Sequence, residues 1–211
     1  FVTGLRTMLK PGGLAVIEAP YVRDLIEQCE FDTIYHEHLC YFSVTALCRL
    51  FNDRGLGLTE VRRLPTHGGS LRIYASPDAE NSPQVVRMVE EEKQLGLSQH
   101  AYYSKFADSV QRVQSDLTST LESLVSQGHR VAAYGAAAKG TILLNSAAVD
   151  PSHLEFVVDR NVHKHGHFMP GLHTPICDTA RLLSDTPDYV LLLAWNHRDE
   201  IVRQQAEYRN R

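Results

Sequence analysis

Tyr35-His36-Glu37-His38 bring a phenol, two imidazoles and a carboxylate into one short run. An imidazole titrates near neutrality and can take or give a proton at working pH. A carboxylate or phenol beside it can orient and tune it. Folding asks for no such density of proton-handling groups, so this segment is the first candidate active site. On an extended backbone His36 and His38 share one face, with Tyr35 and Glu37 on the other. A His-x-His pair can also hold a metal if a third ligand comes from elsewhere, and a polar surface loop is the plain alternative.

Three further segments carry groups of interest. His67-Gly68-Gly69-Ser70 offers a histidine beside two glycines, which permit a hairpin or bulge. Gly135-Ala136-Ala137-Ala138-Lys139-Gly140 follows an apolar run and reads as a tight turn opening a helix. Small residues there let backbone N–H groups approach a phosphate, the helix start favours its charge, and Lys139 adds a cation. The turn lacks the full G-x-G-x-x-G dinucleotide pattern, and such turns also exist for packing alone. Asp159 and Asn196 end what read as neighbouring strands, where open α/β sheets place ligands. Either can meet a nucleotide or cap a loop. His163-Lys164-His165-Gly166-His167 has the look of a metal tract, but its central lysine and the lack of nearby acids favour a solvated loop.

The elements that must position these groups can be read from periodicity. Val2, Leu5, Met8 and Leu9 make a helical stripe that ends at Lys10-Pro11-Gly12-Gly13. Leu14 to Ile17 reads as a buried strand and Val22 to Cys29 as a helix. Ser43 can cap a helix that runs to Arg54 and stops at Gly55. Leu58 to Leu64 and Ser70 to Ala75 read as strands of a hairpin. Two helices follow, Val85 to Leu95 and Tyr102 to Val125, the second with a stripe of Phe106, Val110, Val113, Leu117, Leu121 and Leu124. The last third alternates anew: strands at Arg130 to Tyr134, Leu154 to Val158 and Tyr189 to Ala194, helices at Thr141 to Ala147 and Arg198 to Tyr208. That order predicts a small doubly wound unit, open at the carboxyl ends of its strands.

Composition narrows the class. The 211 residues are 43% hydrophobic and 22% charged, as in ordinary globular proteins. A net charge of -4 argues against nucleic acid as a partner, and no apolar run approaches the roughly 20 residues of a membrane helix. Cys29, Cys40, Cys48 and Cys177 form no C-x-x-C pair and read as reduced, cytoplasmic thiols. The chain starts at Phe1 rather than Met, without a signal-peptide pattern, and reads as cut from something longer.

Several motifs in order carry a family resemblance. Phe31-Asp32-Thr33-Ile34-Tyr35-His36-Glu37-His38 with Tyr41-Phe42-Ser43 resembles the signature of the sugar C-methyltransferases. So do His67-Gly68-Gly69-Ser70-Leu71-Arg72, Tyr134-Gly135-Ala136-Ala137-Ala138-Lys139-Gly140, Lys164, Gly166, Pro170-Gly171, Pro175-Ile176 and Ala194-Trp195-Asn196. The family's best-known members are deoxysugar C-3 methyltransferases, and the resemblance covers nearly the whole chain.

The resemblance implies an α/β fold: the C-terminal half of a class I methyltransferase (Rossmann-like) sheet over 1–77, a helical linker over 78–128, and a Rossmann-like domain over 129–211. It implies C-methylation of a nucleotide-linked keto-deoxysugar by S-adenosylmethionine. His38 is the implied base that removes a proton beside the ketone, with Tyr35 and Glu37 in support; spacing alone leaves His36 and His38 open. His67, Gly135, Ala136, Lys139, Asp159 and Asn196 are the expected substrate contacts. No metal site is expected in this chain. The family's zinc-binding cysteines and its glycine-rich loop for the methyl donor have no counterpart here, so zinc and donor pocket are expected upstream of Phe1. On that reading the isolated chain binds the donor poorly and is inactive. Two other readings stay open: a non-catalytic nucleotide-binding module, and a nicotinamide-dependent oxidoreductase built on Tyr134 to Gly140 with Asp159 as its ribose contact.

Overall fold

The computed structural model describes residues 1–210 and divides them into two compact units. The first contains Phe1–Glu30 and His38–Ser109; the second contains Phe31–Glu37 and the chain from Val110 onward. The division thus cuts the Tyr-His-Glu-His run between Glu37 and His38, and a long helix after Ser109.

The first unit begins with helix α1 (Val2–Met8), strand β1 (Ala15–Pro20) and helix α2 (Val22–Glu27). Helix α3 (Val44–Asn52), strands β2 (Leu56–Leu64) and β3 (Ser70–Pro77) and helix α4 (Pro83–Leu95) follow. Its sheet has the order β1-β3-β2, antiparallel throughout. Leu71, Ile73 and Ala75 alternate along β3 and point into the core, each fully buried. On β2 the inward set is Leu56, Leu58 and Val61, which breaks strict alternation. A bulge between Leu58 and Glu60 absorbs the extra residue and returns Val61 to the core opposite Ile73. The α1 stripe is only partly used: Val2 is buried while Met8 is 84% exposed.

Helix α3 is set by its two ends and its buried face. Ser43 caps it, its hydroxyl accepting from the Ala46 N–H at 3.0 Å. Val44, Leu47, Cys48 and Phe51 face the core, and burying a valine, leucine or phenylalanine contributes roughly 1.5–3 kcal/mol each. Burial, then the charge of Glu92, pushes the Cys48 thiol up to about 11 and keeps it neutral. Glu92 of α4 is itself almost wholly buried. Its carboxylate accepts from the Val44 N–H at 2.6 Å, the Thr45 N–H at 2.8 Å, the Thr45 hydroxyl at 2.6 Å and the Tyr21 hydroxyl at 3.0 Å. A carboxylate at a helix start meets orphan N–H donors and the positive end of the dipole together.

The second unit holds the rest of helix α5 (His100–Ser126), then β4 (Val131–Tyr134), α6 (Ala138–Ser146), β5 (Val157–Val158), β6 (Ile176–Cys177), α7 (Arg181–Asp185), β7 (Tyr189–Leu192), α8 (Arg198–Gln204) and α9 (Ala206–Arg209). Its four strands are parallel in the order β6-β5-β4-β7. Central β4 is buried on both faces, which is why it is apolar at every position. Val131 and Ala133 pack with Leu121 of α5 and Leu144 of α6, while Ala132 and Tyr134 pack with Phe156, Leu182 and Ile201. This is a Rossmann-like α/β unit.

Four expectations from sequence need correction. Asp159 and Asn196 do not end neighbouring strands: β4 lies between β5 and β7. The turn after β4 is shorter than the Gly135–Gly140 stretch, because α6 starts at Ala138 and takes Lys139 into its first turn. The last helix breaks at Gln205 into α8 and α9. Finally, the Tyr-His-Glu-His run is not extended; a short 3-10 turn at Phe31–Thr33 leads into a bend and turn over 35–37, so the two-residue alternation of faces does not apply. Strand β6 has no signal in the sequence, since two residues show no periodicity. Among the described residues no helix is long and apolar enough to cross a membrane.

Candidate functional site

In the second unit, β4 runs into Gly135, whose φ of 100° is costly for any other residue. A side chain there would also meet the Ala194 Cβ at 2.8 Å. The turn's first donors are used internally. The Gly135 N–H donates to the Val158 carbonyl at 2.8 Å and the Ala136 N–H to the Asp159 carboxylate at 2.8 Å. The Ala137 N–H turns back to the Gly135 carbonyl at 2.9 Å. Helix α6 opens without a side-chain cap at Ala137, and the first N–H groups of a helix have no partner within the helix itself.

Asp159 is a knot rather than an open acceptor. Besides Ala136 it accepts from the Asn161 N–H at 2.8 Å and from Lys164 Nζ at 3.1 Å, and Lys164 Nζ also donates to the Ala136 carbonyl at 2.7 Å. The carboxylate thus clips the β4 turn to the loop after β5. An acid spent in this way is poorly placed to take a ribose hydroxyl, which weakens the nicotinamide reading. The nearby His165 Nε2 lies 2.7 Å from the Asp159 carbonyl. A cavity of about 270 Å³ opens beside the turn, lined by Gly135, Ala137, Asp159, Arg160, His197 and Glu200 among others.

On the β7 side, Lys139 and Asn196 meet: Lys139 Nζ donates to Asn196 Oδ1 at 2.9 Å. The same ammonium stands 4.5 Å from the centre of the Trp195 ring, a cation–π distance. The Trp195 Nε1–H donates to the Asp32 carboxylate at 2.6 Å. Asp32 is only 4% exposed. Burial raises its pKa above the usual carboxylate range, against the lowering pull of the Trp195 hydrogen bond and Lys139. Tyr35, on the same segment, is raised above the ordinary phenol by burial and then by the negative charges of Glu37 and Asp32. Sequence reasoning placed Tyr35, Glu37, Lys139 and Asn196 in candidate roles; it gave none to Asp32 or Trp195. The available signal was the single tryptophan of the chain, standing directly before Asn196.

The raised Asp32 gives a pH prediction. Well below the ordinary carboxylate range both folded and unfolded chains are protonated there, and the buried carboxyl costs nothing. As pH rises past that range the unfolded chain ionises first, and stability falls until the folded carboxyl ionises too. Asp32→Asn lacks this loss. Urea unfolding should show the stability of the variant relative to wild type rising between acid and neutral pH; a pH-independent difference contradicts it.

In the first unit, His38 is half-buried with its ring edge-on to Tyr41, centroids 6.2 Å apart at 74°, whereas His36 is exposed. His67 is exposed and lies in left-handed backbone at φ 57°. Its two glycine neighbours have a packing reason: side chains there would strike the Glu30 carboxylate at Gly68 and Asp24 at Gly69. Asp24 is buried and pairs with Arg63, which also lies 5.5 Å from the centre of the Tyr21 ring.

Known proteins place these features. The family model described as the C-methyltransferase C-terminal domain matches residues 65–211, and one described as a methyltransferase domain matches residues 2–61. The chain is 37% identical over 210 residues to C-methyltransferase NovU of Streptomyces niveus, covering 98% of this chain and 50% of that protein. The chain therefore spans about half the length of the curated relative it matches. With a methyltransferase segment followed by the matched Rossmann-like domain, the chain belongs to the C-methyltransferase family.

Proposed function

We propose that the protein carrying this chain methylates a carbon next to the ketone of a nucleotide-linked keto-deoxysugar, in the cytoplasm, with S-adenosylmethionine as donor. The observation that carries the reading is the grouping of Asp32, Tyr35 and Glu37 in one unit with the Lys139–Asn196 end of the parallel sheet. It puts Tyr35, Glu37 and the start of helix α6 in the same folded unit. The order of domains proposed for the chain remains a methyltransferase part, a helical connection and the Rossmann-like part.

When bound, the donor would supply a methyl group from its sulfonium, whose S–CH3 bond would break to leave a neutral thioether. The described residues of the first unit do not by themselves suit it: its sheet is antiparallel, and the buried carboxylates Asp24 and Glu92 are engaged by Arg63 and by the start of α3. No step is therefore assigned to donor contacts here. The chain's own residues serve the substrate. A C–H bond beside a ketone breaks when a base takes the proton and the electron pair moves onto oxygen as an enolate. His38 is the base and keeps the proton as an imidazolium. Tyr35, held protonated by burial and two nearby carboxylates, is suited to donate to the enolate oxygen. Lys139, Asn196 and the open N–H groups of α6 take the diphosphate, with His67 a further sugar contact. Asp159 supports the turn from behind.

Calorimetric titration with UDP, TDP and inorganic pyrophosphate tests the reading. Lys139→Met should weaken diphosphate binding by roughly tenfold, since a charge-assisted contact contributes about 1.5–3 kcal/mol at most and exposure reduces it. Strong NAD binding with no diphosphate binding overturns the proposal.

A further inference from the structure

We infer that Asp32 and Trp195 are positioning residues for the Lys139 ammonium, an inference that rests on the reading of Lys139 as a diphosphate contact. Three distances define the relay. Asp32 accepts the indole N–H of Trp195 at 2.6 Å, the ammonium of Lys139 stands 4.5 Å from the indole centre, and it donates to Asn196 at 2.9 Å. A lysine side chain has four rotatable bonds, and anion binding by a free one must first restrict them. Here the restriction exists before any anion arrives. The ring face supplies a surface of negative potential beneath the cation, and the amide oxygen sets its direction.

Asp32 matters because an indole can rotate about its own side-chain bonds. Its N–H is the one polar point by which the ring can be fixed, and a buried carboxylate is the strongest acceptor available to it. The acceptor is itself rigid: Asp32 lies on the 3-10 turn Phe31–Thr33, whose three residues are all buried. Asp32 also attracts the ammonium through charge. Loss of the acceptor frees the ring, and loss of the ring frees the lysine. This gives the segment before Tyr35 a second task beside its proton chemistry. It holds the phosphate-binding cation from a part of the chain more than a hundred residues away.

Trp195 is the only tryptophan, so its emission reports this relay alone. The 211-residue chain and the variants Asp32→Asn, Asp32→Ala, Trp195→Phe and Lys139→Met are compared. Emission spectra are recorded for those that retain the tryptophan, and Kd for pyrophosphate and for UDP or TDP is measured by calorimetry. Asp32→Asn keeps an acceptor oxygen and should stay within twofold of wild type in Kd with an unshifted emission. Asp32→Ala should shift the emission and weaken binding five- to twentyfold. Trp195→Phe, which keeps a ring but no donor, should lose two- to fivefold; it decides the matter if Asp32→Ala does not fold. Wild-type Kd in both Asp32→Ala and Trp195→Phe, with Lys139→Met weakened, overturns the positioning role and leaves the diphosphate reading intact. Wild-type Kd in Lys139→Met, or no saturable binding by wild type, overturns both.

Discussion

Replacing His38 by alanine in the complete enzyme is expected to lower methyl transfer by about 10²–10⁴-fold, the usual contribution of a positioned general acid–base group. Binding of the methyl donor should change little, because a base acts on the sugar and not on the donor. The neighbouring His36→Ala is the control. His36 is exposed whereas His38 is half-buried against Tyr41, so the control should keep activity within a few-fold. The measurement is single-turnover methyl transfer, with exchange of the sugar's acidic proton for deuterium as a second readout. A base variant should lose exchange and transfer together, whereas damage confined to donor binding leaves exchange intact. Turnover unchanged in His38→Ala removes this residue from the mechanism.

The second large effect concerns folding. Glu92→Leu is expected to destabilise the first unit by about 2–5 kcal/mol, because each buried donor left without an acceptor costs about 1–3 kcal/mol. The carboxylate answers two backbone N–H groups at the start of α3, the Thr45 hydroxyl and the buried Tyr21 hydroxyl. Leucine fills similar space but leaves these donors without their acceptor, and burial denies water to the Val44 N–H and the Tyr21 hydroxyl. Glu92→Gln retains one acceptor oxygen and replaces the other with a donor facing donors, so about 1–3 kcal/mol should go. Denaturant unfolding followed by circular dichroism measures both, and a Glu92→Leu midpoint equal to wild type contradicts the account. A loss of such size is a large share of the 5–15 kcal/mol by which native proteins are stable.

Much of the candidate chemistry was legible along the chain because it is local. Tyr35, Glu37 and His38 adjoin one another, and Lys139 sits in a run of small residues after an apolar strand. The alternation on β3 and the continuous apolar run of β4 could be read because side-chain period follows burial on one face or two. The misreadings have two causes: partners that come from distant parts of the chain, and local propensities that fit more than one conformation. Sheet order put β4 between β5 and β7, which no period along the chain records. The start of α6 moved forward to Ala138 because alanine and lysine propagate a helix as readily as they form a turn.

The same division applies to the site. Residue types, short spacings and strand–turn–helix order suffice to pick out the run rich in titratable groups, the Gly135–Gly140 turn after an apolar strand and the α/β class, since each depends on groups within a few residues of one another. The bond from Trp195 to Asp32, the closing of the Asp159 carboxylate on Ala136 and Lys164, and the service of Glu92 at the far helix α3 do not follow from such spacings. They join elements that meet only after the chain has folded back on itself. A side chain's partners there are set by packing, and packing depends on every element at once.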